Sequence, residues 1–428
     1  MIDVLVIGGG VAGFVSAINA KQFYPQKRVV LIEKNPKKLV PCGIPYIFNT
    51  FSIDDDLMNL EKKLKKHGVE LIEDEIKEID FQNKEAIANE KYKFDKLIIA
   101  TGSKPKIPPI QGIKNAYFIK KEYDYLKNLL EKTKNAKNIT IIGGGFIGLE
   151  VADELAKNGK NIMLIEMMKN ILPNSFDEDF SKKAQESLHK NITLKLNARV
   201  EEIGENYVLV DDEKIASDLT IVTTGFSPNT EFLDVEKNEF GFIKTDEYLR
   251  VKKDIFAVGD CVEHKEFFTA NPTPLMLAST AAFDARVAAA NLYSLQIIRH
   301  NKDSLNIYST VIGDKVFAAV GITENMAKKE GFEVIVTKAK SYNTHPPKFS
   351  HSTDVEVKLI FSKKDLYLLG AQIVGGISTG EMINILGLAI QKNATASDLY
   401  TMQIGTHPLL TPPPTLYPIA VAAGKALV

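Results

Sequence analysis

One stretch near the N-terminus leaves this chain little freedom in how it folds. An apolar run, Val4-Leu5-Val6-Ile7, enters Gly8-Gly9-Gly10-Val11-Ala12-Gly13 directly, continues through Ala-rich residues and returns as Val29-Val30-Leu31-Ile32-Glu33. The order reads as strand, glycine turn, helix, strand and acid. Gly8 permits a tight turn, Gly10 lets backbone approach a pyrophosphate, and Gly13 lets the helix pack close to the strand. The phosphates would sit on the helix N-terminus, and Glu33 can accept from ribose hydroxyls. Nine residues beyond that acid comes Pro41-Cys42-Gly43-Ile44-Pro45-Tyr46, which places a lone thiol in the loop leaving the nucleotide site.

The same order then recurs. Ile139 to Ile142 is a strand, Gly143-Gly144-Gly145-Phe146-Ile147-Gly148 a turn, Leu149 to Asn158 a helix, and Asn161 to Ile165 a strand ending in Glu166. The first glycines lie 135 residues apart and the acids 133. Ala100-Thr101-Gly102-Ser103-Lys104-Pro105 also finds an echo in Thr223-Thr224-Gly225-Phe226-Ser227-Pro228. Three landmarks in one order imply an internal duplication, so an α/β chain with two Rossmann-like units is expected. Glu166 favours an unphosphorylated ribose and hence NADH over NADPH, although Lys169 leaves some dual use open. Between the repeats, Asp54 to His67 reads as an amphipathic helix, Val69 to Asp80 as a strand and Lys96 to Ile99 as a buried strand. From about Asn306 the pattern changes. Val316 to Val320, Val334 to Lys338, Val355 to Phe361 and Leu366 to Val374 read as antiparallel strands, and Gly380 to Asn393 and Ser397 to Met402 as helices.

Bulk properties narrow the partners. With 53 basic against 54 acidic side chains in 428 residues, the chain has no electrostatic footprint for nucleic acid and is long enough for two or three domains. The Ala-rich stretch Ala278 to Ile298 carries Asp284 and Arg286 and fails as a membrane span. The first strand starts at Ile2 with no basic segment ahead of it, so a cytoplasmic protein is expected. Two cysteines in a reducing compartment are not expected to form a disulfide. His345 and His351 lack the accompanying cysteine or carboxylate cluster of a metal site, and no metal is expected.

Asp254-Ile255-Phe256-Ala257-Val258-Gly259-Asp260-Cys261 completes a recognisable set. With both glycine turns, Glu33 and Ala100-Thr101-Gly102, it resembles the flavin motif of the pyridine nucleotide-disulfide oxidoreductases. The resemblance spans essentially the whole chain. It implies an FAD domain at 1–115 and 246–310, an NADH domain at 116–245, and an α+β dimerisation domain at 311–428. Gly8, Gly10, Gly13, Glu33, Thr101, Gly102, Gly259 and Asp260 would bind FAD. Gly143, Gly145, Gly148, Glu150, Glu166 and Gly225 would bind NADH, with Glu150 on the nicotinamide side. The family's order makes the active protein a homodimer.

The string Cys42-Gly43-Ile44-Pro45-Tyr46 is similar to the single-cysteine branch of that family: coenzyme A-disulfide reductases, NADH oxidases, NADH peroxidases and polysulfide reductases. The resemblance implies that electrons pass from NADH through flavin and Cys42 to a disulfide or polysulfide. A helix starting at the thiol loop would stabilise the thiolate. Two alternatives stand beside this reading: an NADH oxidase in which Cys42 cycles through sulfenic acid, and a low-turnover flavoprotein redox sensor. Where the branch's peroxidases carry a catalytic His in the first turn, this chain has Val11, which exchanges no proton. His407, in a His-Pro pair where the family reaches into the partner's site, is the acid-base candidate, although Pro412 replaces the usual supporting Glu. Cys261 reads as a packing residue. The family's coenzyme A-facing tyrosines are missing, with Tyr417 the one C-terminal substitute.

Overall fold

A computed structural model describes residues 1–299 and 303–428. Two parallel sheets and one antiparallel sheet organise it. The first sheet runs in the order 250–252, 255–257, 91–99, 2–7, 29–32, 70–72, parallel along this path except where its first two strands pair, and strands 78–80 and 85–87 join it antiparallel at 91–99. The second runs 192–195, 161–165, 138–142, 219–222, 117–118, parallel throughout. Strands buried on both faces read as continuous apolar runs, which is why Val4 to Val6 and Val29 to Leu31 are almost completely inaccessible. Small side chains let the first helix, Val11–Phe23, pack against Ala278–Ala290, and Ala12, Ala17, Ala20, Ala281, Ala288 and Ala289 share one core. No helix among the described residues is long and apolar enough to cross a membrane.

The third sheet is antiparallel, in the order 307–312, 315–321, 368–375, 354–362, 334–342, with helices Thr379–Gln391 and Pro418–Lys425 packed on it. It meets the second unit around a buried lysine. Lys358, with its side chain 3% exposed, lies 2.8 Å from Asp177, 3.0 Å from Glu324 and 3.4 Å from Asp179. Asp177 also accepts from Gln372 Nε2 at 2.6 Å and from the amides of Glu324 and Asn325 at 3.1 Å each. Several carboxylates around one ammonium offset the cost of burying it.

Two expected elements are shorter in the structure. The helix predicted from Asp54 begins only at Leu60: residues 53–56 form turns, and Asn59 adopts φ 49°, in the left-handed region that a helix cannot pass through. The strand predicted over Val69 to Asp80 is broken into Glu70–Ile72 and Glu78–Asp80. Between them Asp74 gathers the Glu75 amide, Asn89 and Tyr92 around its carboxylate and takes the chain off the sheet.

Lys358→Ala would leave the carboxylates uncompensated, and a loss of about 3–5 kcal/mol is expected for breaking such a buried pair. The midpoint of chemical denaturation of the FAD-loaded protein measures it.

Candidate active site

The two glycine turns are built alike down to single atoms. Gly8 has φ +102° and Gly143 φ +113°, and a Cβ on either would meet a strand-end carbonyl, Ala100 O at 2.3 Å or Thr223 O at 2.9 Å. A Cβ on Gly13 would stand 1.8 Å from Gly8 O, and one on Gly148 2.0 Å from Gly143 O. Gly10 and Gly145, by contrast, face open space with nothing within 4 Å. The first and third glycines therefore pack against the protein's own backbone, while the middle one leaves backbone exposed where a pyrophosphate could approach.

The acids repeat as well. Glu33, 6% exposed, accepts from the Gly9 amide at 2.6 Å and the Asn35 amide at 2.9 Å, with Lys38 Nζ at 2.7 Å. Glu166 accepts from the Gly144 amide at 2.7 Å and the Met168 amide at 2.8 Å. Lys169, which left dual cofactor use open, pairs with Glu178 at 2.8 Å. A cavity of about 460 Å³ lined by Gly8, Glu33, Lys38, Thr101, Asn229 and Phe232 opens beside the first turn. Its neighbour, about 470 Å³, shares Lys34 and Lys38 and extends to Lys121. The residues present thus fit a bound dinucleotide.

Asp260 sits in the short turn Gly259–Cys261 and accepts from Ser103 Oγ at 2.7 Å and Lys121 Nζ at 2.9 Å. Burial works against its charge, but Lys121 and Ser103 outweigh burial and hold the carboxyl below its usual range. Thr101 and Gly102 lie in the loop at the end of strand Lys91–Ile99, and Gly225 in the corresponding loop of the second unit. Short strands 103–105 and 226–228 that follow these loops pair with each other and join the two units.

The thiol turn lies against the second unit. The Gly43 amide donates to Val40 O at 2.8 Å, and Ile44–Phe48 follows as a 3-10 helix with a proline in its first turn. Thr50 donates to Glu154 from its amide at 2.9 Å and its hydroxyl at 2.6 Å, and Asn158 Nδ2 donates to Phe48 O at 3.1 Å. Leu39, Ile44, Ile47 and Phe48 belong to the same apolar core as Leu149, Leu155 and Phe317, a core that draws on all three units.

Cys42 is exposed, yet its thiol is pushed up from the ordinary range. Partial loss of water around the sulfur leads, the carboxylates of Glu150, Asp260 and Asp56 add to it, and Lys121 alone opposes. The helix expected to stabilise the thiolate is one short 3-10 stretch, and carboxylates outnumber the cation. Glu150 is pushed up to about 7 by burial, partly offset by Thr310 Oγ1, which donates to it at 2.7 Å. Asp56 is 4% exposed and pushed up to about 6 by burial. Its Oδ1 lies so close to Gly43 that a Cβ there would approach to 1.9 Å.

His407 is exposed in a loop that folds on itself. Its ring Nδ1 accepts from the Leu409 amide at 3.2 Å, and its amide donates to Thr411 Oγ1 at 3.0 Å. His345 and His351 hold that loop through the carbonyls of Thr411 and Leu409. Cys261 is fully buried and pushed up to about 11 by burial. Tyr417 is 6% exposed in the core of the C-terminal unit and presents no surface to a ligand. Sequence reasoning missed Lys121, Asp56, Glu154 and Thr310. Only Glu154 left a trace, as an acid one turn after Glu150 on a helix with a hydrophobic face.

Residues 2–285 match the pyridine nucleotide-disulphide oxidoreductase family, and residues 307–415 match its dimerisation domain. The chain belongs to this family. It is an NAD(P)H-dependent oxidoreductase of a family that uses FAD. It is 31% identical over 391 residues to the NAD(P)H coenzyme A polysulfide/persulfide reductase of Pyrococcus horikoshii, covering 87% of each chain. It is 28% identical over 449 residues to an NADH oxidase of Methanocaldococcus jannaschii, covering 99% of this chain and 98% of that one. An NAD-dependent persulfide reductase from A. fulgidus superposes with a TM-score of 0.91 at 26% identity, over all of this chain and 83% of the other.

In the FAD-stripped protein, alkylation of Cys42 by iodoacetamide is expected to rise with pH through a midpoint above that of an ordinary thiol. Glu150→Gln removes the charge that acts most on the sulfur and should move the midpoint to lower pH. Reaction rates across a pH series, with the alkylated residue identified by mass spectrometry, test both.

Proposed function

We propose that this protein passes electrons from NADH through Cys42 to a small-molecule disulfide or polysulfide, as a cytoplasmic homodimer. Residues 1–115 and 246–310 would hold FAD, 116–245 NADH, and 311–428 the partner subunit. The observation that carries this reading is an accessible thiol whose turn follows the first glycine cradle in the chain and packs on the helix that leaves the second, matching cradle. The relatives named as polysulfide and persulfide reductases support the choice of acceptor. Exposed Ile377, Leu388 and Leu410 on the C-terminal unit support the dimer.

Bound FAD supplies the hydride-accepting and electron-donating chemistry between NADH and the thiol. Gly10 and Gly145 leave room for the two pyrophosphates, Glu33 and Glu166 receive the riboses, and Asp260 holds the flavin side from its turn with Thr101, Gly102 and Gly259. Cys42 attacks as the thiolate. One substrate sulfur bonds to Cys42, the substrate S–S bond breaks, and one product leaves as a thiolate. The other half stays on Cys42 as a mixed disulfide, or as a persulfide when the substrate is polysulfide. Two electrons originating in NADH then split that bond, restoring the Cys42 thiolate and freeing the second product. NADH leaves as NAD⁺, and the hydride's proton goes to product or solvent.

The M. jannaschii relative supports a second reading, an NADH oxidase with Cys42 cycling through sulfenic acid. Val11 supplies no proton to a peroxide there, and His407 would serve as acid-base group only if a partner subunit receives its loop.

Cys42→Ser should still pass electrons from NADH to a dye acceptor while losing turnover of coenzyme A disulfide and polysulfide; unchanged disulfide turnover would rule the thiol step out. Glu166→Ala should weaken NADH binding about tenfold, the size of one charge-assisted hydrogen bond, and narrow the preference over NADPH. Titration of both nucleotides against flavin reduction measures it.

A further inference from the structure

Strand Ile307–Ile312 belongs to the C-terminal sheet, but two of its side chains engage the helix that follows the second glycine turn. Tyr308 and Thr310 lie two apart and share one strand face, while Phe146 and Glu150 lie four apart and share one helix face. The two periods meet. The Tyr308 and Phe146 rings have centroids 5.2 Å apart and planes at 31°, and Thr310 Oγ1 donates to Glu150 Oε1 at 2.7 Å. Phe146 lies inside the turn Gly143 to Gly148, so the strand braces the nucleotide cradle at its entrance. Thr310 is 4% exposed, which places the bond largely out of water.

Glu150 also acts across the seam. Among the charges around Cys42 and around Tyr46, its carboxylate has the largest effect on each. The titratable groups it acts on are Cys42 and Tyr46 from the thiol turn; Asp153 and Glu154 of its own helix act with it on Tyr46, and Tyr308 of the C-terminal strand packs on Phe146 one turn before it. Lys121 is the cation acting on Cys42.

We propose that Thr310 is a positioning residue, whose hydroxyl fixes the Glu150 carboxyl beside the thiol turn so that the C-terminal unit completes the nicotinamide side of the site. This rests on the reading of Glu150 given above as a nicotinamide-side residue. A hydroxyl donated to a carboxylate favours the ionised acid, so losing it shifts Glu150 toward its protonated form.

The test uses the FAD-loaded protein in four forms: unsubstituted, Thr310→Val, Thr310→Ser and Glu150→Gln. Infrared difference spectra across a pH series follow the protonated carboxyl band of Glu150, assigned by its absence in Glu150→Gln. The midpoint is expected to rise by about one pH unit in Thr310→Val, as for loss of one hydrogen bond to a carboxylate. Thr310→Ser, which keeps the hydroxyl, should return it. Thr310→Ala serves as the hydroxyl-free form if the valine variant does not fold. The pH dependence of flavin reduction by NADH should move in the same direction and lose that inflection in Glu150→Gln. An unmoved carboxyl midpoint in the hydroxyl-free variants overturns the positioning role. Failure of NADH to reduce the flavin even in the unsubstituted protein would instead overturn the functional reading, and the infrared midpoint would still decide the role of Thr310.

Discussion

A carboxylate that is almost wholly buried, Glu154, receives both the amide and the hydroxyl of Thr50, and the site depends on that pair of bonds. An ionised acid taken out of water needs such partners, and hydrogen bonds to a charged group are the strong ones. Lys157, 3.6 Å away, supplies a cation. Phe146, Glu150 and Glu154 follow one another at four-residue spacing, so one face of one helix carries the whole arrangement. Its first position takes the Tyr308 ring, its second takes Thr310, and its third fastens the segment that follows the thiol. Three units of the chain are held in register by a single helical stripe.

That stripe belongs to the second copy of a duplicated fold, and duplication explains why a thiol should lie there. In each copy the middle glycine faces open space at a helix N-terminus and the acid closes on the turn. Two such cradles present two dinucleotides, and redox chemistry between them needs the reacting ends to face one another. The pairing of strands 103–105 and 226–228 joins the equivalent loops of the two copies directly. The thiol turn comes from the first copy but packs on the helix of the second. Its sulfur is set by both.

Local features were legible in the sequence because local physics fixes them. A strand buried on both faces must be apolar throughout, and a turn where a Cβ would lie 1.8 Å from a carbonyl must be glycine. Those two requirements expose both dinucleotide units; the acids follow from their place at the second strand's end, and the thiol loop stood out through its resemblance to the single-cysteine branch. The helix predicted from Asp54 is interrupted for an equally local reason, since Asn59 takes a left-handed conformation and the helix starts only after it. What remained hidden is held by contacts distant in sequence. Lys121 reaches Asp260 across 139 residues, Thr50 reaches Glu154 across 104, and Thr310 reaches Glu150 across 160. Threonine and lysine at those positions have nothing in their neighbourhood to mark them, because ordinary surface loops and strands carry the same residues.

The charges gathered around Cys42 favour a protonated resting sulfur. Glu150, Asp260 and Asp56 each raise the cost of a thiolate, and Lys121 is already engaged with Asp260 and Ser103. An attacking thiol works best with its pKa near the ambient pH, so the protein alone leaves Cys42 on the unreactive side. Two of the opposing carboxyls, Glu150 at about 7 and Asp56 at about 6, are themselves close to neutrality. Both lie below the thiol, so they are already charged at any pH at which the sulfur loses its proton. Burial thus makes the thiolate costly twice, directly at the sulfur and through the carboxylates held beside it, and the charge on Cys42 is a property of the group of acids around it.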